Sequence, residues 1–181
     1  PTTDNYTLSL HDALPISPIY HHFKRAVQLA PREHSDVPLV LSSGRWVLDE
    51  DRLAQAVRRN TKLLFLCNPQ NPGGTIFTRA ELERLASLAE RHDLRICSDE
   101  IHADILLEPG RLHVPVASLS PEVSRRTVTL MSPNKSFNFP GAGCAFAIIE
   151  DAAMRREFSS DLHATVHDAS LFGYLGALAA Y

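Results

Sequence analysis

The chain is poor in lysine, in cysteine and in long apolar runs, and each shortage excludes something. Only Lys24, Lys62 and Lys135 stand beside fifteen arginines. Arginine meets almost every basic need, so each retained lysine calls for a reason. The three cysteines, Cys67, Cys97 and Cys144, are an odd number and form no Cys-x-x-Cys. That argues against a disulfide framework and sets the expectation of a reducing, cytoplasmic setting. All three lie in or beside apolar runs and read as small buried hydrophobes. The nine histidines show no metal-ligand spacing with cysteine or acid, so no metal site is expected. No apolar stretch reaches the ~20 residues needed to cross a bilayer. The first residues lack the basic-then-apolar layout of a signal peptide. The net charge of −3, with no long run of one sign, marks neither a nucleic-acid binder nor a membrane-surface protein. No Gly-x-Gly-x-x-Gly follows a strand-like run, and Gly73-Gly74 lacks the downstream Gly-Lys-Ser/Thr of a P-loop.

What is present fits one globular domain. The 181 residues are 44% hydrophobic and 22% charged, enough to bury a real core. Residues 1–17 have no clear period and read as a loosely attached leader that need not be native to the fold. From Pro18 onward, strand-like and helix-like segments alternate. DVPLVL (36–41) reads as a short strand, and DEDRLAQAVRRN (49–60) as a helix with Leu53, Ala56 and Val57 on one face. KLLFLC (62–67) is apolar throughout, as in a strand buried on both faces. Residues 78–93 form the clearest helix. Thr78 and Glu81 are spaced as a capping box, and Leu82, Leu85, Ala86 and Ala89 recur on one side. LRIC (94–97), TVTLMS (127–132) and CAFAII (144–149) read as further strands, and residues 151–164 and the tail as helices. This alternation predicts an α/β fold, a mostly parallel sheet flanked by helices.

In such sheets ligands collect at the carboxyl ends of the strands. Three polar clusters fall there: NPQNPGG (68–74), SDEIH (98–102) and SPNK (132–135). Each of their residues has an ordinary use. Asp99 is a fit helix cap, Asn71 a turn residue, Ser132 a satisfied loop hydroxyl and Lys135 a surface lysine. Lysine, however, has an ability arginine lacks: its amine can lose a proton and form a Schiff base. The Ser132-x-x-Lys135 spacing also matches the nucleophile motif of penicillin-binding hydrolases. That reading needs Ser132 to open a helix, and Ser-Asp-Asn and Lys-Thr-Gly elsewhere. No Lys-Thr-Gly exists, Ser98-Asp99 is followed by Glu100, and Pro140-Gly141 oppose a helix. An amide, a carboxylate, a hydroxyl and a lysine at one edge suit a ligand with a phenolic oxygen, a basic ring nitrogen, a phosphate and an aldehyde. Pyridoxal 5′-phosphate (PLP) carries all four.

NPQNPGG, SDEIHAD and SPNKSFNFPG, in this order and spacing, resemble the fold-type I PLP enzymes of the class I/II aminotransferase superfamily. DEIHAD followed by ASLSPE, and the Phe-Asn-x-x-Gly after the lysine, are similar to the cystathionine β-lyase-type C–S lyase branch. The resemblance spans roughly Pro18 to Tyr181. It implies that Lys135 holds PLP covalently, that Asp99 pairs with the pyridine nitrogen and that Asn71 donates to the phenolic oxygen. It also implies that Ser132 contacts the phosphate, that Tyr20 stacks on the ring and that His102 lies near the phenolic oxygen. It divides the chain into a partial PLP-binding large domain at 18–160 and, at 161–181, the start of a segment leading to an absent small domain. The large domain is then incomplete at both ends. Gly143 stands where many relatives carry a phosphate-binding arginine, eight residues after the lysine. The resemblance implies a lyase giving thiol, pyruvate and ammonia from an amino-acid substrate, working as a homodimer when full length. An aminotransferase, a PLP-binding regulator and an inactive fragment remain as alternatives.

Overall fold

The structure, a computed structural model, describes residues 13–29, 34–166 and 168–181. Strand β1 (Ala13–Ser17) leads to helix α1 (His21–Leu29) and the short strands β2 (Val37–Pro38), β3 (Val40–Ser42) and β4 (Arg45–Val47). Helix α2 (Glu50–Ala56), strand β5 (Leu63–Cys67), helix α3 (Arg79–Arg91) and strand β6 (Arg95–Asp99) follow. Helix α4 (Pro121–Arg125), strand β7 (Thr127–Met131), the one-turn helix α5 (Pro133–Ser136) and strand β8 (Phe146–Ile148) come next, and helices α6 (Ala152–Thr165) and α7 (Leu171–Ala180) close the chain.

Six strands form one sheet in the order β2-β1-β5-β6-β7-β8. All pair in parallel except β8, which runs antiparallel to β7. The α/β expectation therefore holds, with helices flanking a mostly parallel sheet. The main core joins Leu14 and Ile16 of β1, Leu64 and Leu66 of β5 and Ile96 of β6 to Leu82, Leu85 and Ala89 of α3. Each is buried almost completely. Burial of one such leucine contributes roughly 1.5–3 kcal/mol, so the α3 stripe alone anchors that helix on the sheet.

Three sequence expectations change here. Residues 13–17 are not part of a detached leader. They form a strand between β2 and β5, with Ala13, Leu14 and Ile16 buried. Pro15 hid it, because proline argues against an interior strand; residues 1–12 lie outside the described residues. DVPLVL is not one strand but two, broken at Leu39. Its second half pairs antiparallel with β4 through a two-residue turn. Ser43 and Gly44 both take positive φ there, 51° and 77°, the geometry that suits the twist of a tight hairpin. Finally, α2 ends at Ala56 and Val57 is extended, so the arginines after it lie outside the helix. Residue 160, where the resemblance places the boundary, lies within α6.

Candidate active site

Strands β5, β6 and β7 are parallel neighbours, and this alone brings the three polar clusters to one edge. Register sets Cys67 beside Asp99, and Asp99 beside Leu130. The loop after β5 is fastened tightly. Asn68, fully buried, donates its backbone N–H to the Asp99 carbonyl at 2.9 Å and accepts from Phe77 N at 3.0 Å through Oδ1. Gln70 Nε2 donates to the Pro18 carbonyl, and its Oε1 accepts from Gly73 N at 2.5 Å. A Cβ at Gly73 would meet Gln70 Oε1 at 2.5 Å and Trp46 Cδ1 at 2.9 Å, so any larger residue there would displace one of those side chains. Asn71 sits half-buried at the bend.

Asp99 ends β6 with 8% of its surface exposed. Its Oδ1 accepts the Ile101 backbone N–H at 3.2 Å, and Cys67 Sγ lies 3.7 Å from Oδ2. Among the described residues it has no ion pair. Burial holds its carboxyl above the ordinary aspartate range, against the pull of the Ile101 N–H, of His102 and of the Cys67 thiol. His102 is pushed the other way. Burial lowers its pKa, the Asp99 charge opposes that, and the Lys135 ammonium adds to it. One imidazole thus senses both Asp99 and Lys135. Its Nδ1 is buried without a hydrogen-bond partner.

Lys135 stands exposed on α5, with no ion pair among the described residues. Ser132 caps that turn. Its Oγ accepts from Asn134 N at 3.2 Å and donates to the Cys144 carbonyl at 2.6 Å. The serine does open a helix, contrary to the expectation from Pro140-Gly141. That helix is a single turn, and the hydroxyl proton already serves a carbonyl, so nothing present activates it as a nucleophile. To meet a phosphate, Ser132 would have to release Cys144.

Asn71 and His102 line a cleft of about 530 Å³, along with Gln70, Gly73, Arg45 and Arg111. That volume lies within the usual range for small-molecule sites. Arg45 and Arg111 both donate to the Ile76 carbonyl, at 2.8 and 3.2 Å. Tyr20 is placed differently. It precedes α1 rather than lying on a strand, is 39% exposed, and packs edge-on or tilted against His21, His22 and Phe23. It does not line the cleft, although the Gln70–Pro18 bond ties its segment to the loop. Gly143 has φ 58°, a left-handed conformation that an arginine would adopt only under strain, so the backbone itself disfavours a phosphate-binding arginine here.

Sequence reasoning missed two members of this region. Cys67, read as a small hydrophobe, is buried but touches Asp99. Glu100 is almost fully buried. It accepts from Ser98 Oγ at 2.9 Å and Val116 N at 3.0 Å, and its Oε2 lies 2.6 Å from His113 Nε2. These bonds fasten the segment that carries His102 and Arg111. The acid could be found as the third residue of SDE, but its partner thirteen residues on could not.

The family model for aminotransferase class I and II matches residues 12–169. Cystathionine beta-lyase PatB of Bacillus subtilis is 36% identical over 146 residues, 80% of this chain and 38% of PatB. The crystal structure of OvoB superposes with a TM-score of 0.92 at 45% identity, over 97% of this chain and 46% of that one. Cystalysin from Treponema denticola, whose structure contains a pyridoxal 5′-phosphate cofactor, gives a TM-score of 0.88 at 29% identity, over 92% of this chain and 43% of its own. The chain thus spans less than half the length of each of these relatives.

Proposed function

This chain belongs to the aminotransferase class I and II family, whose solved relatives hold PLP, and on that premise we propose that the complete protein is a PLP-dependent carbon–sulfur lyase. Its substrates would be cystathionine or similar cysteine S-conjugates. The observation that carries the cofactor half of this reading is Asp99, a buried carboxylate with no cation of its own among the described residues, at the strand end that leads to His102 in the cleft lining. A protonated pyridine nitrogen is the partner such a group lacks.

Lys135 would hold the cofactor through Nζ and, once freed by substrate, take the proton from the substrate α-carbon as general base. Asp99 would keep a positive charge opposite its carboxylate. Asn71 would donate its side-chain amide to the phenolic oxygen, with His102 beside it. Ser132 would turn its hydroxyl from Cys144 toward the phosphate. Tyr20 would need its segment to shift before it could cover a ring. With PLP bound, the ring accepts the electron pair left at the α-carbon. The sulfur at the β-carbon would then depart as a thiolate, and hydrolysis of the remaining product would give pyruvate and ammonia.

The lyase half rests on likeness to PatB and on the DEIHAD and Phe-Asn-x-x-Gly features. The family's name supports transamination as the second reading, since the same lysine and aspartate serve both. The test is the full-length protein with PLP and cystathionine, with pyruvate and free thiol measured. Both products support the lyase. A 2-oxo acid with the amino group retained on the cofactor supports the transaminase and overturns the lyase. We propose further that the full-length protein is a homodimer acting on small molecules in the cytoplasm. Among the described residues, no helix is long and apolar enough to cross a membrane.

A further inference from the structure

Cys67 closes β5 with 2% of its surface exposed, and the parallel register sets it directly beside Asp99. Its sulfur has three polar neighbours. Asp99 Oδ2 lies at 3.7 Å and the Pro69 carbonyl at 3.3 Å, and the backbone N–H of Asn71 faces it. One thiol therefore touches the carboxylate of β6 and the backbone on both sides of Gln70. The thiol has one proton for two acceptors. An ionised carboxylate is the stronger acceptor, so it captures that proton when charged, and the Pro69 carbonyl takes it when the carboxyl is neutral. Burial and the Asp99 charge push the thiol up to about 12. The group is thus a hydrogen-bond donor at neutral pH and no nucleophile. The other groups facing Asp99 are the Ile101 N–H, His102, Glu100 and Cys97. None of these also reaches the loop of Asn71 in the way Cys67 does.

We infer that Cys67 is a positioning residue: its S–H donates to ionised Asp99 while its sulfur stays packed against the Pro69 carbonyl at the start of the Asn71 loop, so the carboxylate and that loop keep one frame. This rests on the PLP reading above. Loss of the thiol proton should leave Asp99 less readily ionised and the Asn71 turn looser. Serine, a stronger donor, should preserve both.

The test compares the full-length wild type with Cys67→Ala and Cys67→Ser, with melting curves confirming that each folds. Two quantities are read: the PLP dissociation constant, from the visible absorbance, and the titration midpoint of Asp99, by carbon NMR on the cofactor-free protein. Cys67→Ala should weaken PLP binding roughly three- to tenfold, the size of one ordinary net hydrogen bond, since a thiol is a weak donor. It should also move the Asp99 midpoint upward. Cys67→Ser should stay near wild type in both. A folded alanine variant with both quantities unchanged overturns the inference, and so does a serine variant as impaired as the alanine one. A wild type that binds no PLP sinks the proposed function instead. The Asp99 midpoint, measured without cofactor, still decides whether the thiol is its donor.

Discussion

Asp99 and Glu81 are carboxylates of equal exposure, 8% each, Glu81 in the first turn of α3 and Asp99 at the end of β6, the strand that follows it. Their surroundings differ completely. Glu81 receives both arms of the Arg45 guanidinium at 2.7 Å, together with the Thr78 N–H at 2.7 Å and its hydroxyl at 2.8 Å. Burial pushes its pKa up, but Arg45 and Thr78 outweigh that and hold it at about 2. Asp99 has two long contacts and no cation among the described residues, and burial wins. One carboxylate is finished by the fold. The other meets no cation among the described residues, the feature on which the proposed cofactor contact rests. Burial alone does not mark a site; burial without compensation does.

The strongest way to break that contrast is to remove the amine that shares the Asp99 environment. Lys135→Ala should lower pyruvate release by about 10³-fold or more and abolish the visible band of bound PLP. A variant turning over at the wild-type rate would end the assignment. Next, Asp99→Asn should cost about 10²–10³-fold in turnover, with PLP still bound. Its melting temperature should stay level or rise, because an uncompensated buried charge is gone. Undiminished turnover would show that the ring nitrogen is managed elsewhere. Glu81→Ala should do the reverse. It should cost about 1–3 kcal/mol of stability in denaturant melts, from lost charged hydrogen bonds and the broken cap, with turnover at saturating PLP near wild type.

The smallest effect is the slope of stability with pH. The Glu81 pKa falls from 4.5 to about 2 on folding. Its contribution is therefore complete above pH 4.5 and drains away as pH drops toward 2. The Asp99 pKa rises on folding, so its ionised form costs stability at neutral pH, and that cost is relieved as pH falls through its raised value. Acid melts should show Glu81→Gln flattening the acid loss and Asp99→Asn steepening it. Parallel slopes for the two variants would erase the comparison.

The capping box was legible because Thr78 and Glu81 are three residues apart, and local spacing is all that a cap requires. The edge holding Asn71, Asp99 and Lys135 was legible because parallel strands deliver their following loops to one side. The rest depends on distant partners. Arg45 lies on a hairpin that DVPLVL concealed. Strand β1 carries a proline that speaks against its own role. Cys67 looks like any buried cysteine until β6 is laid beside it. The resemblance, not the spacing, supplied Tyr20 and His102, and of these the structure sets His102, but not Tyr20, in the lining of the cleft.

The sequence by itself determined the alternation of strands and helices, the helix cap and the family's three loops, because these depend on neighbours within a few residues. Only the tertiary structure decided that β1 is interior, that Arg45 neutralises Glu81 and that no cation among the described residues neutralises Asp99. A charge's fate depends on which groups the fold brings within a few ångströms, and those groups come from strands and loops far apart along the chain.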